Sequence, residues 1–357
     1  METKVLEQFK NLNGLYGEYT ITEQEIIKII DGNSWGECKT EEQYLEYMKQ
    51  NSQLFIGKIN ETKKRHFNSK DILGLKEKPT YDFVIDGIER GNISFLSGQG
   101  GAGKGFFILH MLFSSVGLTE NKNFLFEKVK KTPTIGYFSF EDNIKNFAIR
   151  GYDCAESYKK DNKNNTNEFH FFDMVGAGAM FKETEEYFIT KETVISKMKK
   201  DIQKNKIDLV IIDTLSIINQ RYSENDNKEM AQLMEELKRF ATETNTAIII
   251  VHHQNKSGLS AQNDTNEGAL RGAGTMKDNS RLVIGLEKCK IDIKEDNKTK
   301  KVFCKNWIEV RFDKANNTAI KSRIFYRHPD GVLSQMPVGY KVVDDLDITR
   351  TKNKVEV

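Results

Sequence analysis

The sequence predicts an α/β fold built on a mostly parallel sheet. A short, mostly apolar stretch at residues 93–96 and continuous apolar runs at 209–212 and 247–251 have the length of strands buried on both faces. Between them lie segments whose apolar residues recur at helical spacing, among them Met230, Leu233, Met234, Leu237, Phe240 and Ala241. A glycine-rich stretch, GQGGAGKG at residues 98–105, joins the first of these strands to an apolar helix over 106–116. Strands alternating with helices place the helices on both faces of a parallel sheet.

Each element can be justified in chain order. Near the N-terminus, Thr22 is followed three residues later by Glu25, ahead of Ile26, Ile27, Ile29 and Ile30. That is a capping-box pattern opening a short helix. A second helix is expected over 41–48, with Tyr44, Leu45 and Met48 on one face, and residues 58–70 read as a polar, basic linker. Residues 1–75 therefore form a small helical N-terminal extension, and 76–345 the main domain. Within that domain, TIGYFSF at 134–140 is a strand and 143–160 a helix. An Asn/Lys-rich loop leads to a strand at 168–174 and a helix at 192–204. The run 209–212 delivers Asp213 at its end, and 247–251 delivers His252 and His253. Further on, Ile308, Val310 and Phe312 alternate with Glu309, Arg311 and Asp313, the pattern of a half-buried antiparallel strand. Residues 324–327 and the turn Pro329-Asp330-Gly331 predict a C-terminal antiparallel hairpin with it. Residues 346–357 are polar and read as a frayed tail.

Composition narrows the function classes. The chain has 357 residues, and its 54 basic and 52 acidic side chains give a net charge of +2. That near-balance argues against charge-driven coating of nucleic acid but leaves room for a local basic surface. Cys38, Cys154, Cys289 and Cys304 lie far apart with no CxxC pair, which reads as free thiols in a reducing cytoplasm. The N-terminus lacks the apolar core of a signal peptide, and no apolar run is long enough to span a bilayer, so no membrane partner is expected.

The chemistry concentrates at strand ends. GQGGAGKG matches G-x-x-x-x-G-K with the final Ser or Thr missing. Glycines there let backbone N–H groups turn inward around phosphates, and the next helix aims its N-terminus at the same negative charge. Gly98, Gly100, Gly101, Ala102, Gly103, Lys104, Gly105 and Phe106 are the candidate nucleotide-binding residues, with Lys104 reaching the β- and γ-phosphates. The bland alternative is a glycine-rich turn with an incidental lysine; the flanking strand and helix count against it. Gly105 stands where a hydroxyl normally ligates Mg²⁺. Either turnover survives with altered metal binding, or nucleotide binds and hydrolysis is weak. Asp213 at the end of LVIID is the candidate Mg²⁺ carboxylate, since ligands of open α/β sheets bind beside such strand ends. Glu141 and Asp142 follow TIGYFSF directly. Glu141 is placed to polarise an attacking water, while Asp142 suits an N-cap of the next helix; a capping role for the pair is the competing reading.

These residues form an ordered series that resembles the RepA-type hexameric replicative helicases of plasmids, within the RecA-like AAA ATPases. The series is DFVIDGIERG, GQGGAGKG, YFSFED, LVIIDTLS, IIIVHHQNKSG, ALRGAGTMKDNSR and VRFDKANN, spread over about residues 81–333. The resemblance implies a RecA-like P-loop core, ATP and Mg²⁺ as cofactors, and ATP-driven helicase or translocase activity in plasmid or phage DNA replication. It implies Lys104 on phosphate, Asp213 on the metal, Glu141 as the catalytic carboxylate and His253 as a γ-phosphate sensor. Arg271 would enter a neighbouring subunit's site as an arginine finger, which requires a homo-oligomer, expected to be a hexameric ring. Lys314 would also face that neighbour's nucleotide. A polar strand terminus for His253 and a solvated loop arginine for Arg271 remain the simpler readings. Single-stranded DNA is the implied partner, with a replication initiator and a primase as further ones. Loops at 219–227, with Arg221 and Tyr222, and 254–274, with Lys256, would line the channel or are ordinary surface loops. Two other activities fit the same series: a nucleotide-gated regulatory protein that does not unwind, and a RecA-like recombination or repair ATPase.

Overall fold

The apolar runs become neighbouring strands because each is too hydrophobic to leave either face in water. The structure, a computed structural model, describes residues 69–76, 78–117, 124–159, 168–181, 193–224, 226–253, 273–295, 298–337, 340–342 and 348–350. Contact density divides the chain into Met1–Tyr81 and Asp82–Val357. In the first unit the described residues contain one short helix, α1 (Ser69–Leu73). The capping box at Thr22 and the helix expected over 41–48 lie outside the described residues.

The second unit opens with a short antiparallel pair, β1 (Phe83–Ile85) and β2 (Ile88–Glu89). Asp86, in the turn between them, is buried and accepts from the Lys128 backbone N–H at 2.8 Å. Then follow β3 (Ile93–Gly98), α2 (Lys104–Ser115), β4 (Ile135–Ser139), α3 (Ile144–Lys159), β5 (Phe169–Asp173), α4 (Val194–Lys204), β6 (Leu209–Asp213), α5 (Leu215–Ile218), α6 (Asn227–Thr244), β7 (Ala247–His253) and α7 (Ala273–Asn279). The chain ends with β8 (Leu282–Glu295), β9 (Lys298–Ala315), β10 (Arg323–Arg327), β11 (Leu333–Gln335), β12 (Tyr340–Val342) and β13 (Ile348–Arg350).

Among the described residues the main sheet runs β11-β10-β9-β8-β3-β7-β6-β4-β5. The six strands from β8 to β5 in that order pair in parallel, and β9, β10 and β11 add antiparallel strands at one side. This is the mostly parallel sheet with added antiparallel C-terminal strands expected from the sequence. Alternate residues of one strand feed opposite cores. Leu209 and Ile211 pack with Phe107, Ile108 and Met111 of α2, whereas Val210 and Ile212 pack with Met198 of α4 and Leu233, Leu237 and Phe240 of α6. Burying each such side chain contributes about 1.5–3 kcal/mol, which is why β6 tolerates only one polar residue, at its end.

Helix starts follow local chemistry. Thr193 caps α4 by accepting from the Ser196 N–H at 3.1 Å, and Asp226 caps α6 by accepting from Lys228 and Glu229. Asn245 ends α6 in the left-handed region at φ 52°.

The expected antiparallel pairing of 308–312 with 324–327 is present as β9 with β10, but through a different connection. The turn at 329–331 joins β10 to β11, while β9 meets β10 through residues 316–322. Nor does the sequence reading contain β8, which pairs with β9 over nearly its whole length. Ile348–Arg350 pairs with Tyr340–Val342, so the stretch expected to fray carries a short strand. Cys154, Cys289 and Cys304 are buried, and none of them is in a disulfide among the described residues. No described helix is long and apolar enough to cross a membrane.

Candidate nucleotide site

Parallel register brings the candidate residues to one edge of the sheet. Gly98, the last residue of β3, lies level with His253 of β7, and Ser139 of β4 lies level with Asp213 of β6. The carboxyl ends of these strands therefore share one rim, the place where open α/β sheets take ligands.

The loop 98–105 leaves β3 at this rim and enters α2 directly. Gly103 is the residue before the helix and sits at φ +98°, in the left-handed region. A Cβ there would collide with Ile308 Cδ1. Gly98 is required for a different reason: its Cβ would fall 2.6 Å from the Leu286 carbonyl oxygen on neighbouring β8. The Lys104 ammonium folds back into the loop and donates to the carbonyl oxygens of Gly98 at 2.7 Å and Gln99 at 3.1 Å. Burial lowers its pKa, and the charges of Asp213 and Glu141 oppose that shift. Two backbone carbonyls and two nearby carboxylates thus hold a buried cation beside the loop.

Asp213 faces this cation. Its Oδ2 accepts from the Tyr137 hydroxyl at 2.7 Å, and its Oδ1 is buried without a hydrogen-bond partner. Burial raises its pKa, against the hydrogen bond from Tyr137 and the His253 charge, which lower it. Thr214, the next residue, donates from Oγ1 to the Val251 carbonyl at 2.9 Å and ties β6 to β7. A buried carboxylate oxygen left without a donor costs about 1–3 kcal/mol or more, and a cation is the group that would relieve it.

Glu141 and His253 complete the rim. One ligand atom from each of Glu141, Asp213 and His253 falls within 4.8 Å of the others, and His253 Nε2 is 3.5 Å from Glu141 Oε2. The adjacent histidines part company, as neighbours on a strand must. His253 is exposed toward Glu141, while His252 is buried with Nε2 3.9 Å from Glu224. Mg²⁺ prefers oxygen ligands and keeps several waters. The residues present fit that ion: Asp213 supplies an unpartnered carboxylate oxygen and Glu141 a second carboxylate.

The expected capping role of Asp142 is corrected. Asn143 caps α3, accepting from the Asn146 N–H at 2.9 Å, and the Asp142 carboxylate instead pairs with Arg150 at 2.7 Å. Tyr137 and Arg150 were not anticipated. Tyr137 lies two residues before Ser139 on the same face of β4, a position that parity identifies once β4 and β6 are known to be neighbours. An arginine on α3 has no spacing signature.

Elsewhere the expectations meet occupied side chains. Lys314 donates to the carbonyls of Lys277 and Asp278 at the end of α7. Tyr222 donates to Glu236 at 2.8 Å and carries the Arg221 guanidinium over its ring, so it is held against α6. Arg271 and Lys256 lie outside the described residues.

With the loop, the acidic strand end and their common rim in place, comparison with known proteins is decisive on one point. Residues 62–258, more than half of the chain, match the family described as AAA domain. The chain belongs to the AAA domain family. The matched span of this AAA protein takes in the loop, Glu141, Asp213 and His253 and stops short of β8 and the strands after it. Among solved structures, one ATPase domain is similar over 70% of this chain and 86% of its own, at 15% identity and a TM-score of 0.48. A search of curated protein sequences finds no match.

Proposed function

We propose that the protein is an ATP-dependent DNA helicase or translocase that works as a homo-oligomeric ring in plasmid or phage DNA replication. The convergence of Glu141, Asp213 and His253 on the rim of the loop 98–105 supports the ATPase part of this reading. Lys104 and the backbone N–H groups of the loop would bind the phosphates, and Asp213 would hold Mg²⁺ through its unpartnered oxygen. Bound Mg²⁺ neutralises charge that develops on the transferring phosphoryl group. Glu141 would accept the proton of the attacking water, and His253, 3.5 Å from it, would register whether the terminal phosphate is present. Arg271, as the finger from a neighbouring copy, makes turnover depend on assembly. The ordered sequence motifs support the DNA-directed and ring-forming parts, with single-stranded DNA, an initiator and a primase as partners.

A second reading is favoured by Gly105. Without a hydroxyl at this position the site has lost one protein contact to Mg²⁺, which suits a nucleotide-gated DNA-binding regulator that hydrolyses slowly and does not unwind. Phosphate release with and without single-stranded DNA, on protein sized by light scattering, separates the two. The helicase reading requires DNA-stimulated release by an oligomer, lost in Lys104→Ala and in Arg271→Ala, with nucleotide binding kept in the latter. Tight nucleotide binding with no stimulated release and no strand separation would establish the regulator instead.

A further inference from the structure

The space beside Gly105 is filled. A Cβ built at this position would lie 2.8 Å from Nη1 of Arg150, which reaches over from α3. Residue 105 is where a P-loop ordinarily roots the hydroxyl that ligates Mg²⁺, so a guanidinium nitrogen crowds the carbon that would carry that hydroxyl. The arrangement is held from behind: Arg150 Nη2 pairs with Asp142 at 2.7 Å, and the Asp142 backbone N–H donates to Ser139 Oγ at 2.9 Å. Ser139 is in turn level with Asp213. The guanidinium is thus anchored at the rim occupied by Glu141, Asp213 and Lys104, with its Nη1 directed at the first turn of α2.

We propose that Arg150 replaces the missing metal-ligating hydroxyl, supplying positive charge from within the same chain to the terminal phosphates of the nucleotide. Loss of the side chain at 105 and placement of Arg150 are then one exchange: a contact made through Mg²⁺ is traded for a direct one. Guanidinium suits the task, because it stays charged and can bond phosphate oxygens while keeping its carboxylate partner. Nucleotide binding should consequently survive removal of Mg²⁺ far better than a hydroxyl-bearing loop would allow. The inference rests on the nucleotide-site reading above, and its test keeps the two apart.

The test is the affinity of the full chain for a fluorescent ATP analogue, by anisotropy, in excess Mg²⁺ and in EDTA. Arg150→Gln should weaken binding in EDTA by about 10-fold or more, the loss expected for one charge-assisted hydrogen bond to phosphate, and should weaken it less in Mg²⁺. Lys145→Gln removes the same charge from an exposed position of the same helix and should change neither value. Gly105→Ser combined with Arg150→Gln should restore affinity in Mg²⁺ only. Circular dichroism of each variant establishes that it is folded, and Arg150→Lys, which keeps the charge, should retain most binding in EDTA. If Arg150→Gln binds as wild type does in EDTA, or if Lys145→Gln loses as much, the proposal is wrong while the nucleotide site stands. If wild type binds in neither condition, both readings fall.

Discussion

Asp213→Asn should make the protein more stable without nucleotide and less stable with it. The carboxylate is buried, one oxygen is satisfied by Tyr137 and the other has no partner. Asparagine keeps an acceptor for the Tyr137 hydroxyl and removes the charge that burial penalises. An unsatisfied buried polar group costs about 1–3 kcal/mol, more when charged; against this, the amide nitrogen is left unpaired and the buried Lys104 ammonium loses an opposing carboxylate, so the expected net gain is at most on the order of 1 kcal/mol. Nucleotide reverses the ranking. Saturating wild type at about 100 times Kd adds roughly 2.7 kcal/mol, and the variant forgoes the part that depends on the metal. The assay is urea unfolding followed by far-ultraviolet circular dichroism, with and without ATP and Mg²⁺. A variant that is less stable than wild type without nucleotide would show that the Asp213 charge is structurally favourable, and the reasoning from its bare oxygen would fail. An undiminished shift on adding nucleotide would remove Asp213 from the metal site.

Other expectations follow from the same structure. Gly103→Ala should destabilise by about 2–4 kcal/mol, from a left-handed backbone and a collision with Ile308; a thermal melt of Gly103→Ala with Ile308→Val should recover the collision part only. Burial raises the Asp86 carboxyl to about 6 from 3.8, so the folded state holds a proton that the unfolded state has released, and stability falls as pH rises through that window. Burial lowers His110 to about 4 from 6.5, so there the unfolded state takes up the proton first, and stability falls as pH drops through its window. The two slopes oppose each other. Asp86→Asn should therefore expose the His110 slope, an increase in unfolding free energy of up to about 3 kcal/mol between about pH 4 and pH 6.5, read from urea midpoints; a flat profile in that variant would contradict it. Asp226→Ala should cost about 1 kcal/mol by uncapping α6, measured the same way.

The inner parallel strands β6 and β7 were legible because they are buried on both faces and so are written as unbroken apolar runs. LVIID and AIIIVHH needed nothing more than their composition and their polar ends. The loop was legible because phosphate recognition by backbone imposes glycines at fixed positions. What escaped was of two kinds. β8 begins with apolar Leu282, Val283 and Ile284 but continues through Glu287, Lys288, Lys290 and Lys294, a pattern of a strand running out to solvent that resembles loop composition. Arg150 and Asp142 escaped because their roles arise from a tertiary meeting: Asp142 has the chemistry of a cap, and only the placement of Asn143 one residue later frees it to pair with Arg150. Lys314 shows the converse, a charged residue that fits a motif yet spends its donors on the end of α7.

The pairing of Ser139 with Asp213 and of Gly98 with His253 has an outcome for how the protein can be inherited and altered. No single segment owns the site; it exists only where separate strand tips stop at the same height. Sliding one strand by a single residue would turn its last side chain to the opposite face and take it out of the site. Insertions in connecting loops other than 98–105 should therefore leave the site in place, whereas a one-residue deletion inside β6 or β4 should silence it.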